Sequence, residues 1–304
     1  MAETILITGA TGLVGKALTK VLLVQGYEIN VLTTQKRLLG SKNNIHYFFW
    51  NPQSNEIDSK CFNRVSTVIN LAGSPIAQRW TKSTKSSILN SRVQSLNTLA
   101  NAIREHKINI KQLISASAIG IYPDSKTHYY EEKNINSEGS SFLSYVVQQW
   151  EAATHQFQSM GIKTTLLRIG IVLDNNGGAL PKIATPIQKY YGAVLASGEQ
   201  WQSWIHIEDL VRLFIHSLES RLEGVYNAVA PNPVQQVELT KAIAHVLKKP
   251  LFLPNIPEFM LKLIFGSMSS VVLESQRVCS KKIQSTGFKF TYHELSAAVD
   301  NLLA

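Results

Sequence analysis

Apolar positions along this chain switch repeatedly between short continuous runs and a helical period, and that switching predicts the fold. TILITGA (Thr4 to Ala10) is β-branched and apolar, the pattern of a buried strand. LVGKALTKVLLVQGY follows with apolar residues at Leu13, Val14, Ala17, Leu18, Val21 and Leu22, one face of a helix, and Gly26 supplies its C-terminal cap. EINVLTT returns to strand. STVINLAG (Ser66 to Gly73), KQLISASAIGIY and KTTLLRIGIVL read as further strands. Between them, SSILNSRVQSLNTLANAIREH and FLSYVVQQWEAATHQFQSMG read as helices, the second closed by Gly161. Alternating β and α at this spacing predicts an α/β fold, a doubly wound parallel sheet with helices on both faces and right-handed crossovers.

After Leu173 the pattern loosens. NNGGALPKIATP is turn-rich, HIEDLVRLFIHSLES is a helix and EGVYNAVAP a short strand. From Pro231 come ELTKAIAHVLKK, a proline-punctuated link LFLPNIPEFM, a helix, and a last helix at HELSAAVDNLLA. The expected organisation is a dinucleotide-binding Rossmann domain over 1–230, with substrate-side segments from about residue 174, and a smaller, mainly helical lobe over 231–304.

Composition narrows the function classes. With 304 residues, 44 % apolar and 17 % charged, the chain can bury a large core. Cys61 and Cys279 have no metal-ligand spacing, so neither a disulfide framework nor a metal site is expected, and a reducing, cytoplasmic setting is. The apolar segment PEFMLKLIFGSMSSVVL is broken by Lys262 and serines, too interrupted to span a membrane. The net charge of +9 is scattered rather than clustered, which argues against nucleic acid and suits an anionic cofactor or substrate. The expected partner is a small molecule, and the expected state a monomer or homodimer.

Gly9, Gly12 and Gly15 stand at the first strand-to-helix turn, where a doubly wound sheet opens its ligand crevice. One glycine permits the tight turn, one lets backbone approach a pyrophosphate, and one lets helix and strand pack closely. NAD sites usually carry an acid at the end of the second strand; here Thr33, Thr34, Lys36 and Arg37 follow instead. Hydroxyls and cations favour a 2′-phosphate, so NADP(H) is the expected cofactor, with NAD the alternative.

Through GATGLVG, NLAG (Asn70 to Gly73), SASA (Ser115 to Ala118) and LRIGIVL, the chain resembles the short-chain dehydrogenase/reductase superfamily, in its extended or atypical branch. Further stretches are similar to one epimerase-like subgroup, often labelled NAD-dependent epimerases or cell-division inhibitor homologues. They are WNP, RWTKSTKSSILNSR, QQWEAA, GGALPK, WQSWIHIEDL, NAVAPNPV and GFKF. The resemblance implies a pyrophosphate on Thr11, Gly12, Leu13 and Val14, a ribose near Thr33 and Thr34, and Leu71, Ala72 and Gly73 along the adenine side. It implies cofactor contacts at Arg92 and Ser115. Thr34 stands where relatives often have arginine, a place that Lys36 or Arg37 can fill.

Hydride transfer in this superfamily usually needs a Ser, a Tyr and a Lys four residues after the Tyr. Ser117 occupies the Ser position. YPDSK and YYEEK match Y-x-x-x-K but lie outside the helix that should present the pair. On that helix Tyr145 is the candidate, with Gln149 where Lys would stand; if Glu151 sets the register, the two positions fall instead near Leu143 and Val147. Arg79, Trp80, Trp201, Trp204 and His206 are the substrate-side candidates, either lining an aromatic pocket or packing the two lobes together. His206 reads as more often structural than acidic. Two functions follow: an NADP-dependent oxidoreductase or epimerase acting on an unidentified small hydroxyl or carbonyl compound, or a non-catalytic dinucleotide-binding sensor or scaffold.

Overall fold

Each apolar run is a strand buried on both faces, and each helical period flanks the sheet those strands form. The computed structural model describes residues 3–134 and 141–304. The first unit is β1 (Thr4–Thr8), α1 (Leu13–Val24) and β2 (Glu28–Thr33). Next come β3 (Ile45–Asn51), β4 (Val65–Asn70), α2 (Lys82–Glu105), β5 (Gln112–Ala118), α3 (Phe142–Ala152) and β6 (Lys163–Ile169). Then follow α4 (Leu180–Gln188), α5 (Ile207–Glu219) and β7 (Gly224–Ala228), and after them α6 (Gln236–Val246), α7 (Glu258–Phe265) and α8 (Leu295–Leu303).

These seven strands are all parallel, in the order β3-β2-β1-β4-β5-β6-β7, and two short segments, Gly40–Lys42 and Glu56–Ile57, add antiparallel pairs to β3 at the edge. Strand order reverses between β1 and β4, so their carboxyl ends diverge into a crevice there. β3 is a strand that the sequence reading passed over, although IHYFFWN is rich in the aromatic side chains that favour a pleated surface. LRIGIVL, expected as one strand, is two. A side chain at Gly170 would stand 2.2 Å from the Ser203 carbonyl oxygen. The chain therefore leaves the main sheet there, and Ile171–Asp174 pairs with Trp204–His206 in a second, small sheet.

The C-terminal segment is stitched onto α5. Asp209, in the first turn of α5, is fully buried and accepts the backbone N–H groups of Thr291 and Tyr292. The cap is His206, whose Nδ1 accepts the Glu208 N–H at 3.1 Å. One continuous buried cluster runs from Ile5 to Leu302. Among the described residues, no helix is long and apolar enough to cross a membrane.

Candidate cofactor and substrate site

The three glycines are required for three different reasons. Gly9 has φ +70°, and a Cβ there would sit 2.5 Å from the Leu71 carbonyl oxygen. A Cβ at Gly15 would sit 2.3 Å from the Gly9 carbonyl oxygen, so helix and strand can pack only if it is absent. Gly12 is the N-cap of α1, and a Cβ there would meet a single atom, the Gly9 carbonyl oxygen, at a tight 3.3 Å. Among the described residues no side chain caps α1, which leaves the N–H groups of its first turn, at Leu13 and Val14, for an anion.

A line of polar side chains sets the opposite wall. The Thr8 hydroxyl donates to Asn70 Oδ1 at 2.7 Å and accepts the Leu71 and Ala72 N–H groups at 3.1 Å each. The Asn70 amide donates to Ser115 Oγ at 3.0 Å. Thr8 and Asn70, at the tips of β1 and β4, and Ser115, midway along β5, are thereby locked together and hold the Leu71–Gly73 turn against the glycine loop. Ser115 is fully buried in that role.

Between these walls lies a cleft of about 840 Å³, within the range of small-molecule sites. It is lined by Gly9, Thr11, Ala72 and Gly73 from the glycine loop and the turn after β4, by Thr33 to Gln35 after β2, by Trp50 to Gln53 at the end of β3, and by the serine-rich face of α2. Among the described residues, no charged side chain lines it. Cations stand at its rim: Arg37 donates to Gln35 Oε1 at 3.3 and 3.2 Å, and Lys36 Nζ lies 5.2 Å from the Phe49 ring centre. Arg92 is buried beneath the turn. It donates to the Ser74 and Ile88 carbonyls at 3.2 and 2.9 Å and lies over the Trp150 ring at 5.1 Å. Burial brings its pKa down to about 10.

Beyond β5 the polar groups are buried and mutually satisfied. Ser117, 2 % exposed, donates to Glu151 Oε1 at 2.5 Å. Arg168 grips the same carboxylate through Nε and Nη2, both at 2.8 Å, and donates through Nη1 to the Tyr122 hydroxyl at 3.0 Å. Tyr122 in turn donates to Asn227 Oδ1 at 2.7 Å, and burial pushes its pKa up to about 12. Tyr122 and Lys126 therefore do not act as a pair: Lys126 bonds Glu199 at the surface.

On α3, Tyr145 is 49 % exposed. Toward Gly120, just after β5, α3 presents apolar side chains: a Cβ at Gly120 would meet Leu143 at 3.4 Å and Val147 at 4.0 Å. The tryptophans have separate surroundings. Trp80 meets Phe142 edge-on at 5.0 Å, with Arg79 exposed beside it. Trp201 donates to the Lys126 carbonyl and carries the Arg277 guanidinium on its face at 4.4 Å. Trp204 is fully buried, its indole N–H on the Asn232 carbonyl. His206 is buried too, stacked on Tyr292 at 3.8 Å with Nε2 3.2 Å from Asn301 Oδ1, and burial lowers its pKa. These last two side chains join the sheet to the C-terminal segment and offer no atom to open solvent.

Residues 5–228 match the model of the NAD dependent epimerase/dehydratase family. The chain belongs to that family. Residues 256–302 match a domain of unknown function. An epimerase family protein of Staphylococcus saprophyticus is 38 % identical over 98 % of both chains. The epimerase family protein YfhF of Bacillus subtilis is 36 % identical over 99 % of this chain and 98 % of its own. The crystal structure of human epimerase family protein SDR39U1 (isoform2) with NADPH superposes with a TM-score of 0.86, at 27 % identity and 99 % coverage of both chains.

Sequence reasoning took Glu151 only as a register mark in this epimerase-family chain and did not single out Arg168, Tyr122 or Asn227 for a site. The signal was available. An arginine inside the apolar run LLRIG lies in a buried strand and must find an anion.

Proposed function

We propose that this chain binds NADP(H) and acts as an oxidoreductase or epimerase on a small hydroxyl- or carbonyl-bearing substrate. The observation that carries the cofactor reading is the uncapped first turn of α1, which follows directly on Gly9 and Thr11 in the lining of a cleft where, among the described residues, no side chain is charged. Thr11, Gly12 and the N–H groups of Leu13 and Val14 hold the diphosphate, with Gly9 and Gly15 shaping the turn. Thr33, Thr34, Lys36 and Arg37 serve the 2′-phosphate: hydroxyls and cations attract it where a carboxylate would repel it. Leu71, Ala72 and Gly73 flank the adenine side, held in place by Arg92 and Ser115. The NADPH in the human relative supports the same choice of cofactor.

A bound nicotinamide supplies or accepts a hydride. Of the chain's own groups, Ser117 stands at the end of β5 with its proton directed to Glu151, which leaves its oxygen lone pairs for a donor. Tyr145 is the other acid–base candidate, and Arg79, Trp80 and Trp201 the substrate-side ones. Trp204 and His206 stiffen the wall behind them. Both thiols are buried and unpaired, which suits a cytoplasmic setting.

A second reading, a sensor or scaffold that binds the dinucleotide without chemistry, is favoured by Leu143 and Val147, apolar on the face of α3 where a Tyr–Lys pair belongs. Titration with NADPH and NADH, followed by a panel of carbonyl compounds, tests both. Saturable NADPH binding with turnover, reduced in Ser117→Ala while binding persists, is the expected result. Tight binding with no oxidation anywhere in the panel selects the sensor. No association of either nucleotide at millimolar levels sinks both.

A further inference from the structure

The short helix α7 turns most of its apolar side chains outward. Phe259 is 69 % exposed, Leu263 84 % and Ile264 64 %, with Met260 and Phe265 partly so. Only Leu261 is buried and anchors the helix. Residues 259, 260, 263 and 264 form one face, since positions four apart stack along a helix. The loop just before it adds Phe252 and Leu253, also exposed. This loop is tied to the 190–196 segment: Ala196 donates to the Ile256 carbonyl at 2.9 Å, and Lys249 to the Tyr190 hydroxyl at 2.6 Å. Tyr190 and Tyr191, each about half exposed, therefore continue the same surface.

The size of this surface decides what it is. At roughly 150–250 Å² for a large apolar side chain, the exposed fractions from Phe252 to Phe265 amount to about 700 Å². Monomers rarely expose more than a few hundred contiguous Å² of apolar surface, and a stable interface buries about 800 Å² per partner. Tyrosine, phenylalanine and methionine are also the residues enriched at such contacts.

We propose that this face is the interface of a homodimer, in which α7 packs antiparallel against α7 of a second copy across a two-fold axis. The charges argue for a second copy. Glu258 and Lys262 lie one turn apart on α7, pair with each other at 2.6 Å and flank the apolar stripe. Antiparallel packing about the helix centre brings Glu258 of each copy within reach of Lys262 of the other, so the patch is complementary to itself, as a two-fold contact requires. A helix built to lie on a membrane carries a strongly basic polar face instead, and here one acid cancels the one base.

Sedimentation velocity on the full chain, from low to high micromolar concentration, tests this. The wild type should sediment as a dimer, and Leu263→Glu as a monomer with an unchanged melting temperature, its dissociation constant raised more than about tenfold. Glu258→Lys should weaken the dimer by like charge across the axis, and adding Lys262→Glu should restore it. A monomeric wild type across the range overturns the proposal, as does a dimer that Leu263→Glu leaves intact. So does a monomer that floats with vesicles of anionic phospholipid, which would assign the face to lipid.

Discussion

The Arg168 guanidinium holds the Glu151 carboxylate through two parallel contacts of 2.8 Å, joining β6 to α3 with no solvent at the arginine. This bidentate pair also receives the Ser117 hydroxyl, so it fixes both the helix and the end of β5. Removing one partner leaves the other charge buried and uncompensated. Arg168→Met should therefore cost about 3–5 kcal/mol of stability, read as a fall in thermal midpoint. The double variant with Glu151→Leu should recover much of that loss, because no unpaired charge remains.

Gly12 and Gly15 separate binding from folding. Gly15→Ala drives a methyl into the Gly9 carbonyl and should destabilise the fold by about 1–3 kcal/mol. Gly12→Ala sets a methyl 3.3 Å from the same carbonyl, a far milder crowding, so its melting temperature should fall much less than that of Gly15→Ala while NADPH affinity falls at least about tenfold. Equal affinity in Gly12→Ala, measured by calorimetry, would remove the diphosphate from that turn.

Choice between the two nucleotides should follow the end of β2. Arg37→Ala is expected to weaken NADPH by about ten- to a hundredfold, the worth of a charge-assisted hydrogen bond, and to leave NADH unchanged. Thr34→Asp places a carboxylate in the cleft and should reverse the preference. Parallel titrations with both nucleotides check the pair of variants.

Glu274 gives the stability a particular pH dependence. Burial, then the nearby Asp124 carboxylate, raise its pKa to about 7, against a smaller lowering by the Ser141 hydroxyl. Between the ordinary value of about 4.3 and about 7, the folded chain keeps this proton and the unfolded chain loses it. Its contribution is therefore full at acid pH and lost as pH rises through that window. Glu274→Gln keeps the neutral form, so its advantage in thermal midpoint over wild type should grow from pH 4 to pH 7. His206 runs the other way. Burial lowers its pKa, so the unfolded chain takes up a proton first as pH falls below about 6.5, and stability drops there. His206→Asn should flatten that acid limb.

The nucleotide-binding half was legible because its signals are local. A parallel strand buried on both faces must be continuously apolar, and a flanking helix must be apolar on one side, so β1, α1, β2, β4, α2 and β5 could be read directly. The glycine spacing was legible for the same reason: the need for an absent Cβ is set within one turn. β3 was missed because its aromatic run has no clean alternation, and the break at Gly170 because the atom forbidding a side chain belongs to Ser203, far along the chain.

By itself, then, the sequence determined the doubly wound sheet, the open turn at Gly12 and the absence of an acid after β2, since each rests on neighbours in the chain. Only the tertiary structure decided what the isolated polar residues do. It put Ser117 on Glu151 and Glu151 on Arg168, and sent Trp204 and His206 into the core. It turned Tyr145 outward and left α7 apolar to solvent. A charge or ring takes its role from the partner that desolvates or satisfies it, and those partners lie across the fold.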